Sequence, residues 1–311
     1  MAAHRSLVFQ PGEEARVDAF LARHADSSMF LRSNLRRAGL RDRGERFDGT
    51  WVGLAVQDEL VAVGAVFWNG IMQVQAPRFP AALARGLAAA SPRPLRGVIG
   101  PWLQVVAARQ ALGLEAVPCH TESREDLFGL RLADLVLPDA LKNDRVSVRT
   151  AAPGDLELLT RWGVDYDVEL KGLPADEALW RDNRASAEAF VAAGEQFLLE
   201  AGDLPLATCT WNARLPQSVQ IGGVYTPPSL RSRGYARCVV AGALRLAQQA
   251  GVDRSILFTA VQNRPAQRAY QAIGFRRVGD FGLVLFAGDH AVSAGGSSVG
   301  SMDPESSGSR G

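Results

Sequence analysis

Arg231-Ser232-Arg233-Gly234-Tyr235-Ala236 gathers two guanidinium groups, a glycine and a small residue in one hexapeptide. Those residue types suit the holding of an anion. Gly234 lets the main chain approach a ligand with no Cβ in the way, and Ala236 keeps the next turn narrow. Arg231 and Arg233 add positive charge, which fits a pyrophosphate better than a single carboxylate. Taken alone, the hexapeptide also reads as an ordinary basic helix start with a turn glycine, so its surroundings decide.

Two elements must frame it. Residues 219–224 read as a buried strand, and from 237 to 249 Val239, Val240, Ala243, Leu244, Leu246 and Ala247 recur at helical spacing. A strand, a tight turn and a helix start leave N–H groups pointing out of the helix end, where the dipole favours a phosphate. Further on, residues 255–261 form a second strand by their β-branched and aromatic content. Asn263 then marks the strand's end, Pro265 suits the first turn of a helix, and Gly274 suits its C-terminal stop. Residues 281–286 return as a final apolar strand.

These segments resemble the GCN5-related N-acetyltransferase (GNAT) superfamily, in which two such segments build the acetyl-CoA site. Arg231 to Ala236 match its pyrophosphate pattern of Gln or Arg, two residues, Gly, any residue, then Gly or Ala. Asn263, Ala269, Tyr270, Gly274 and Phe275 match its second motif. Val224-Tyr225-Thr226-Pro227-Pro228 most resembles a bacterial, FR47-like subgroup of acetyltransferases, and the match spans residues 195–286.

The resemblance implies transfer of an acetyl group from acetyl-CoA to an amine, by direct attack in a ternary complex. Attack on a thioester puts negative charge on the carbonyl oxygen, which fixed N–H donors stabilise. The strand around Val224, Tyr225 and Thr226 would supply them and pair with the pantetheine arm. Arg231, Ser232, Arg233, Gly234, Tyr235 and Ala236 would surround the diphosphate, and Asn263 would hydrogen-bond the pantetheine or diphosphate arm. The leaving thiolate, with a pKa of about 8.5, benefits from an acid. Tyr270 corresponds to that acid in the family; the alternative is a half-buried core tyrosine packing near Ile273. Many relatives use a strand glutamate as base, but here the strand offers Ser218 and Gln220. Glu200, Asp165, Asp167 and Glu169 stand as candidates, each also readable as a surface carboxylate.

Composition narrows the classes. The chain has 311 residues, 47% of them hydrophobic, and a net charge of +1. It is long enough for two domains, and nothing in its charge asks for nucleic acid or an anionic membrane. Arg32, Arg36, Arg37, Arg41, Arg43 and Arg46 interleave with Asp42, Glu45 and Asp48, the pattern of a solvated face. Cys119, Cys209 and Cys238 are widely spaced, which suggests a reducing compartment and no disulfide framework. The four histidines show no ligand spacing, so no metal is expected. No apolar run reaches membrane-span length, and a cytoplasmic location follows as the default expectation.

In order along the chain, residues 12–40 read as two helices and 51–75 as three strands with a hairpin at Gln57-Asp58-Glu59. Residues 79–90 and 102–112 read as helices around a short strand at 97–99, and 127–137 as closing strands. That order resembles a second, degenerate copy of the same fold. Its turn Gly97-Val98-Ile99-Gly100-Pro101-Trp102 lacks the phosphate pattern and places Pro101 where a donor is useful. The expected fold is therefore α/β (α+β): tandem GNAT-like domains, each a mixed, mostly antiparallel sheet flanked by helices. Residues 1–140 form the degenerate domain, 146–287 the catalytic one, and 288–311 a Gly- and Ser-rich disordered tail. Two functions stay open, an N-acetyltransferase for a small-molecule or amino-acid-like amine and a non-catalytic acyl-CoA-binding sensor or scaffold. The chain is expected to act as a monomeric pseudo-dimer or a homodimer.

Overall fold

The computed structural model describes residues 4–292. In chain order the first elements are β1 (Arg5–Val8), α1 (Glu14–Ala22), α2 (Met29–Ala38), β2 (Gly49–Val56), β3 (Glu59–Phe67), β4 (Ile71–Gln75), α3 (Pro80–Ala90), β5 (Leu95–Gly100) and α4 (Trp102–Leu112). Then come β6 (Cys119–Arg131), α5 (Asp139–Lys142), β7 (Ser147–Thr150), α6 (Leu156–Lys171), α7 (Glu177–Ala192), β8 (Gln196–Ala201) and β9 (Leu204–Leu215). The last are β10 (Ser218–Tyr225), α8 (Tyr235–Gln249), β11 (Arg254–Ala260), α9 (Arg264–Gln271) and β12 (Arg276–His290).

The first compact unit comprises residues up to 123 together with those from 281 onward. Its sheet runs β1-β2-β3-β4-β5, followed by the part of β12 from Phe281. The strands are almost continuously apolar because both faces are covered. Trp51, Val63, Ala65 and Phe67 face α1 and α2, meeting Val17, Phe20, Leu31 and Leu35. Val52, Leu54, Val66, Val98 and Val284 face α3 and α4, meeting Leu83, Leu87 and Val105. Gln57 and Asp58 both take positive φ, 50° and 65°, the backbone that a two-residue turn between twisted strands demands.

The second unit comprises residues 124–280, and its strands run β7-β8-β9-β10-β11 and then residues 124–131 of β6. β10 and β11 are parallel, and the other pairings among these strands are antiparallel. One face buries α8 through Val239, Val240, Ala243 and Leu244. The other receives α6 through Leu159 and Trp162, and α7 through Ala187. Both units thus have the mixed, mostly antiparallel sheet with flanking helices that the sequence predicts.

Their boundaries differ from the expected 1–140 and 146–287. Residues 124–131 pair along β11, from Arg131 opposite Arg254 to Glu125 opposite Ala260, and send Phe128 and Leu130 into the second core. Residues 282–285 pair with 97–100 of β5 and send Val284 and Phe286 into the first core. Each half therefore closes its sheet with a strand from the other half of the sequence. The stretch 138–145, which contains the gap left between the two expected domains, carries α5, whose Leu141 is buried in the second core with Leu132 and Val146. Leu141→Ala is accordingly expected to cost about 2–5 kcal/mol of stability, read by denaturant unfolding. A true linker would make that change nearly neutral. β12 reaches His290, past the expected domain end, and most of the expected tail lies outside the described residues.

Arg149 on β7 ties the edge of the second sheet to the start of α6. It donates to the Glu200 carboxylate at 3.0 and 2.6 Å and to that of Asp155 at 2.6 and 2.9 Å. These bonds hold the Asp155 carboxyl below its usual range, so its stabilising effect is present at neutral pH and is lost as pH falls through the lowered value. The Arg149 side chain is 41% exposed, so Arg149→Ala is expected to cost only about 1 kcal/mol. That deficit should be constant above about pH 4 and shrink in more acidic melts.

No helix among the described residues is long and apolar enough to cross a membrane.

Candidate functional site

The site forms where β10 and β11 part. Their parallel register covers Ser218, Val219 and Gln220 against Arg254, Ser255 and Ile256. β10 then bulges twice against β9, between Gln220 and Ile221 and between Gly222 and Tyr225, with Gly223 at φ +55°. Bulges bend a strand and raise its twist. β11 instead keeps an unbroken register with β6 as far as Ala260. A wedge opens between the strands, walled by main-chain groups of residues 221–225 and 257–260. Val224 and Tyr225 lie on its β10 arm, and Thr226 follows at its end.

The turn out of β10 aims the next helix at this wedge. Ser232 takes φ +63° and Gly234, the N-cap of α8, takes φ +80°. No side chain caps this helix, so the first-turn N–H groups of Tyr235, Ala236 and Arg237 remain available to an anion. A Cβ on Gly234 would stand 2.9 Å from Arg237 Nε in a backbone conformation that L-residues rarely adopt. The positive φ favours glycine there, while the exposed Arg237 side chain can move aside.

The two arginines of the hexapeptide do different things. Arg231, expected to add charge beside the phosphate donors, donates both terminal nitrogens to Glu169 of α6 at 2.6 Å. Its Nε donates to the Thr226 carbonyl at 2.9 Å, and its guanidinium lies 5.9 Å from the centre of the Tyr225 ring. It braces the turn against α6, and its charge is largely met by a carboxylate it holds below the usual range. Arg233 is exposed and makes no ion pair among the described residues. Arg237, one turn into α8 and also exposed, stands beside Gly234. The hexapeptide pattern stops before Arg237; its position three residues after the glycine was the available signal.

On the other arm, Asn263 caps α9 by accepting from the Ala266 N–H at 3.3 Å. Its Oδ1 is thereby occupied, which leaves the Nδ2 donors for the ligand arm the sequence suggested. Tyr270 of α9 is 7% exposed, with its ring edge-on to Phe275 at 6.2 Å. Burial pushes its phenol up, and the ionised forms of Tyr166, Cys209 and Glu125 add to the effect. It is therefore protonated at neutral pH. Its burial is deeper than the half-buried position expected, in one core cluster with Ile273 and Phe275.

The wall on the α6 side is aromatic. Trp162 and Tyr166 stand 6.1 and 6.3 Å from the Tyr225 ring. Nearby, the buried Oγ1 of Thr226 and Nε2 of Gln220 have no protein partner. An acyl-CoA arm carrying amides and a carbonyl supplies what such atoms lack. The expected carboxylates are dispersed: Glu200 is held by Arg149, Glu169 by Arg231, Asp167 accepts from Asn183 at 3.0 Å, and Asp165 is exposed.

The first unit lacks this arrangement. Its parallel pair is β4 with β5, so the counterpart of the α8 turn is 76–79, leading into α3. Residues 97–102, where the sequence suggests that turn, are instead the end of β5 and its junction with α4. In the true counterpart Phe79, at φ +58°, holds the N-cap position that Gly234 holds in the second unit. The Ala76 N–H donates at 2.6 Å to Gln104 Oε1, so α4 fills the opening. Among the described residues no group of three or more His, Cys, Asp or Glu is placed to hold a metal ion.

A family model described as "Acetyltransferase (GNAT) family" matches residues 159–275. No curated protein matches the sequence. Among solved structures, an acetyltransferase from the GNAT family of Colwellia psychrerythraea aligns over 91% of this chain and 99% of its own, at 15% identity and a TM-score of 0.52. A GCN5-related N-acetyltransferase from Sphaerobacter thermophilus aligns over 90% and 94%, at 16% identity and a TM-score of 0.55. A tandem GNAT protein from the clavulanic acid biosynthesis pathway aligns over 95% and 100%, at 12% identity and a TM-score of 0.52. At these identities the structures establish the fold over both units. The family match falls on the segment that carries the wedge, the uncapped helix and Tyr270, and the chain as a whole has the tandem GNAT fold.

Proposed function

We propose that the protein is an acetyl-CoA-dependent N-acetyltransferase acting on the amine of a small-molecule or amino-acid-like acceptor, with one working site per chain. The observation that carries this reading is the pairing of the wedge with an uncapped helix N-terminus at its mouth. The diphosphate of acetyl-CoA would meet the N–H groups of residues 235–237 together with Arg233, and the pantetheine arm would complete the interrupted ladder along residues 221–225. Main-chain donors of the bulged strand then face the charge that develops on the thioester carbonyl. Tyr270, kept protonated by burial, gives its proton to the departing thiolate. The acceptor enters on the α6 side, past Trp162 and Tyr166. The first unit supplies no second site, because Phe79 and Gln104 occupy the corresponding turn and opening.

Calorimetric titration with acetyl-CoA and CoA tests the reading. One micromolar site per chain, with amine-dependent thiol release, is the expected result; a stoichiometry of two would return the first unit to function. Binding with no turnover over a broad amine panel would favour the sensor or scaffold reading, and absence of binding would remove both.

A further inference from the structure

The wedge has a buried side-chain amide at its inner end. Gln220 is the last residue of β10 in register with β11, opposite Ile256, and the strands part beyond it. It is 1% exposed, and its Nε2 has no partner among the described residues. Buried amide groups nearly always find a hydrogen-bond partner, and one left without costs the free protein stability. Val219 and Ile221, its neighbours along β10, both lie in the core under α8. Strand alternation therefore turns Gln220 to the other side of the sheet, that of α6.

The first unit has the same residue at the same place. Gln73 is the last residue of β4 in parallel register with β5, opposite Ile99, and it too is buried with an amide atom, Oε1, that has no partner among the described residues. There, however, Gln104 of α4 fills the opening. Only in the second unit does the amide stand at the root of an open wedge.

In the reading above, the diphosphate lies at the start of α8 and the pantetheine arm runs inward along residues 225 to 221. The thioester is then the part of acetyl-CoA nearest the inner end. We propose that Gln220 Nε2 donates to the thioester carbonyl oxygen, a side-chain contact added to the main-chain donors of β10. This assignment rests on the acetyl-transfer reading. The hydrogen bond polarises the carbonyl of the bound cofactor and strengthens as amine attack moves the C=O electron pair onto oxygen. On collapse that pair re-forms the C=O bond, the C–S bond breaks, and the sulfur takes its proton from Tyr270. Gln220 gains and loses no proton throughout.

S-Ethyl-CoA, a thioether close in shape to acetyl-CoA, lacks the oxygen and serves as the probe. Calorimetry on the full chain is expected to show the wild type preferring acetyl-CoA over S-ethyl-CoA. In Gln220→Met, which keeps the side chain's length and removes the donor, that preference should shrink about fivefold. Denaturant unfolding should find the free variant at least as stable as the wild type, because an unpartnered amide has been replaced by an apolar group. Gln73→Met is the control: it makes the same exchange in the unit without a site, and the preference should stay as in the wild type. A wild type that binds both ligands equally, a preference unchanged in Gln220→Met, an equal shrinkage in Gln73→Met, or a free Gln220→Met clearly less stable than the wild type would each overturn the assignment. A wild type that binds neither ligand would instead overturn the acetyl-transfer reading.

Discussion

Gly234→Glu is expected to weaken acetyl-CoA binding at least about a hundredfold, which corresponds to ~2.7 kcal/mol. Two effects add. A side chain at φ +80° is strained, and its carboxylate projects beside the donors meant for a diphosphate. Gly234→Ala separates them, because it keeps the strain and loses the charge. Its loss should be roughly tenfold, in line with ~1 kcal/mol for a left-handed non-glycine residue. The free protein carries the same strain, so both variants should melt a few degrees below the wild type. Calorimetry giving wild-type affinity in Gly234→Glu would place the cofactor elsewhere on the chain.

Tyr270→Phe is expected to lower kcat by about 10²- to 10³-fold while acetyl-CoA affinity stays within about threefold. The ring carries the packing against Phe275 and the neighbouring core, and phenylalanine keeps it. The hydroxyl makes no hydrogen bond among the described residues, so its removal should cost little stability. Only the proton given to the leaving thiolate is withdrawn. Steady-state thiol release, paired with calorimetry, separates the outcomes. Unchanged turnover would make Tyr270 a core tyrosine, and lost affinity would make it a binding residue.

Arg231 shows why a motif residue need not perform the motif's function alone. By type and position it belongs to the phosphate pattern, yet its guanidinium is shared among Glu169, the Thr226 carbonyl and the Tyr225 ring. Holding the turn in shape is a different service from contacting a ligand. Glu169 lies far from Arg231 in sequence, and no local pattern pairs them. Asn263 shows the reverse, since Asn two positions before Pro265 already reads as a helix cap, and the structure has it capping α9.

Local chemistry was legible in the sequence wherever it depends on neighbouring residues. The hairpin at Gln57-Asp58, the turn glycine at 234, the α9 cap and the alternation of helices with apolar strands are all near-neighbour effects, and they were sufficient to indicate the fold of each half. Tertiary structure alone decided which strands close which sheet. Residues 127–130 and 281–286 are short apolar runs whose sheet no local pattern fixes, and their choice depends on which core has room for Phe128 or Val284. The same choice gives Leu141 a core in place of a linker and identifies 76–79, not 97–102, as the first unit's counterpart turn. Pairing between strands far apart in sequence is set by packing volume and register, and neither is written in any single stretch of chain.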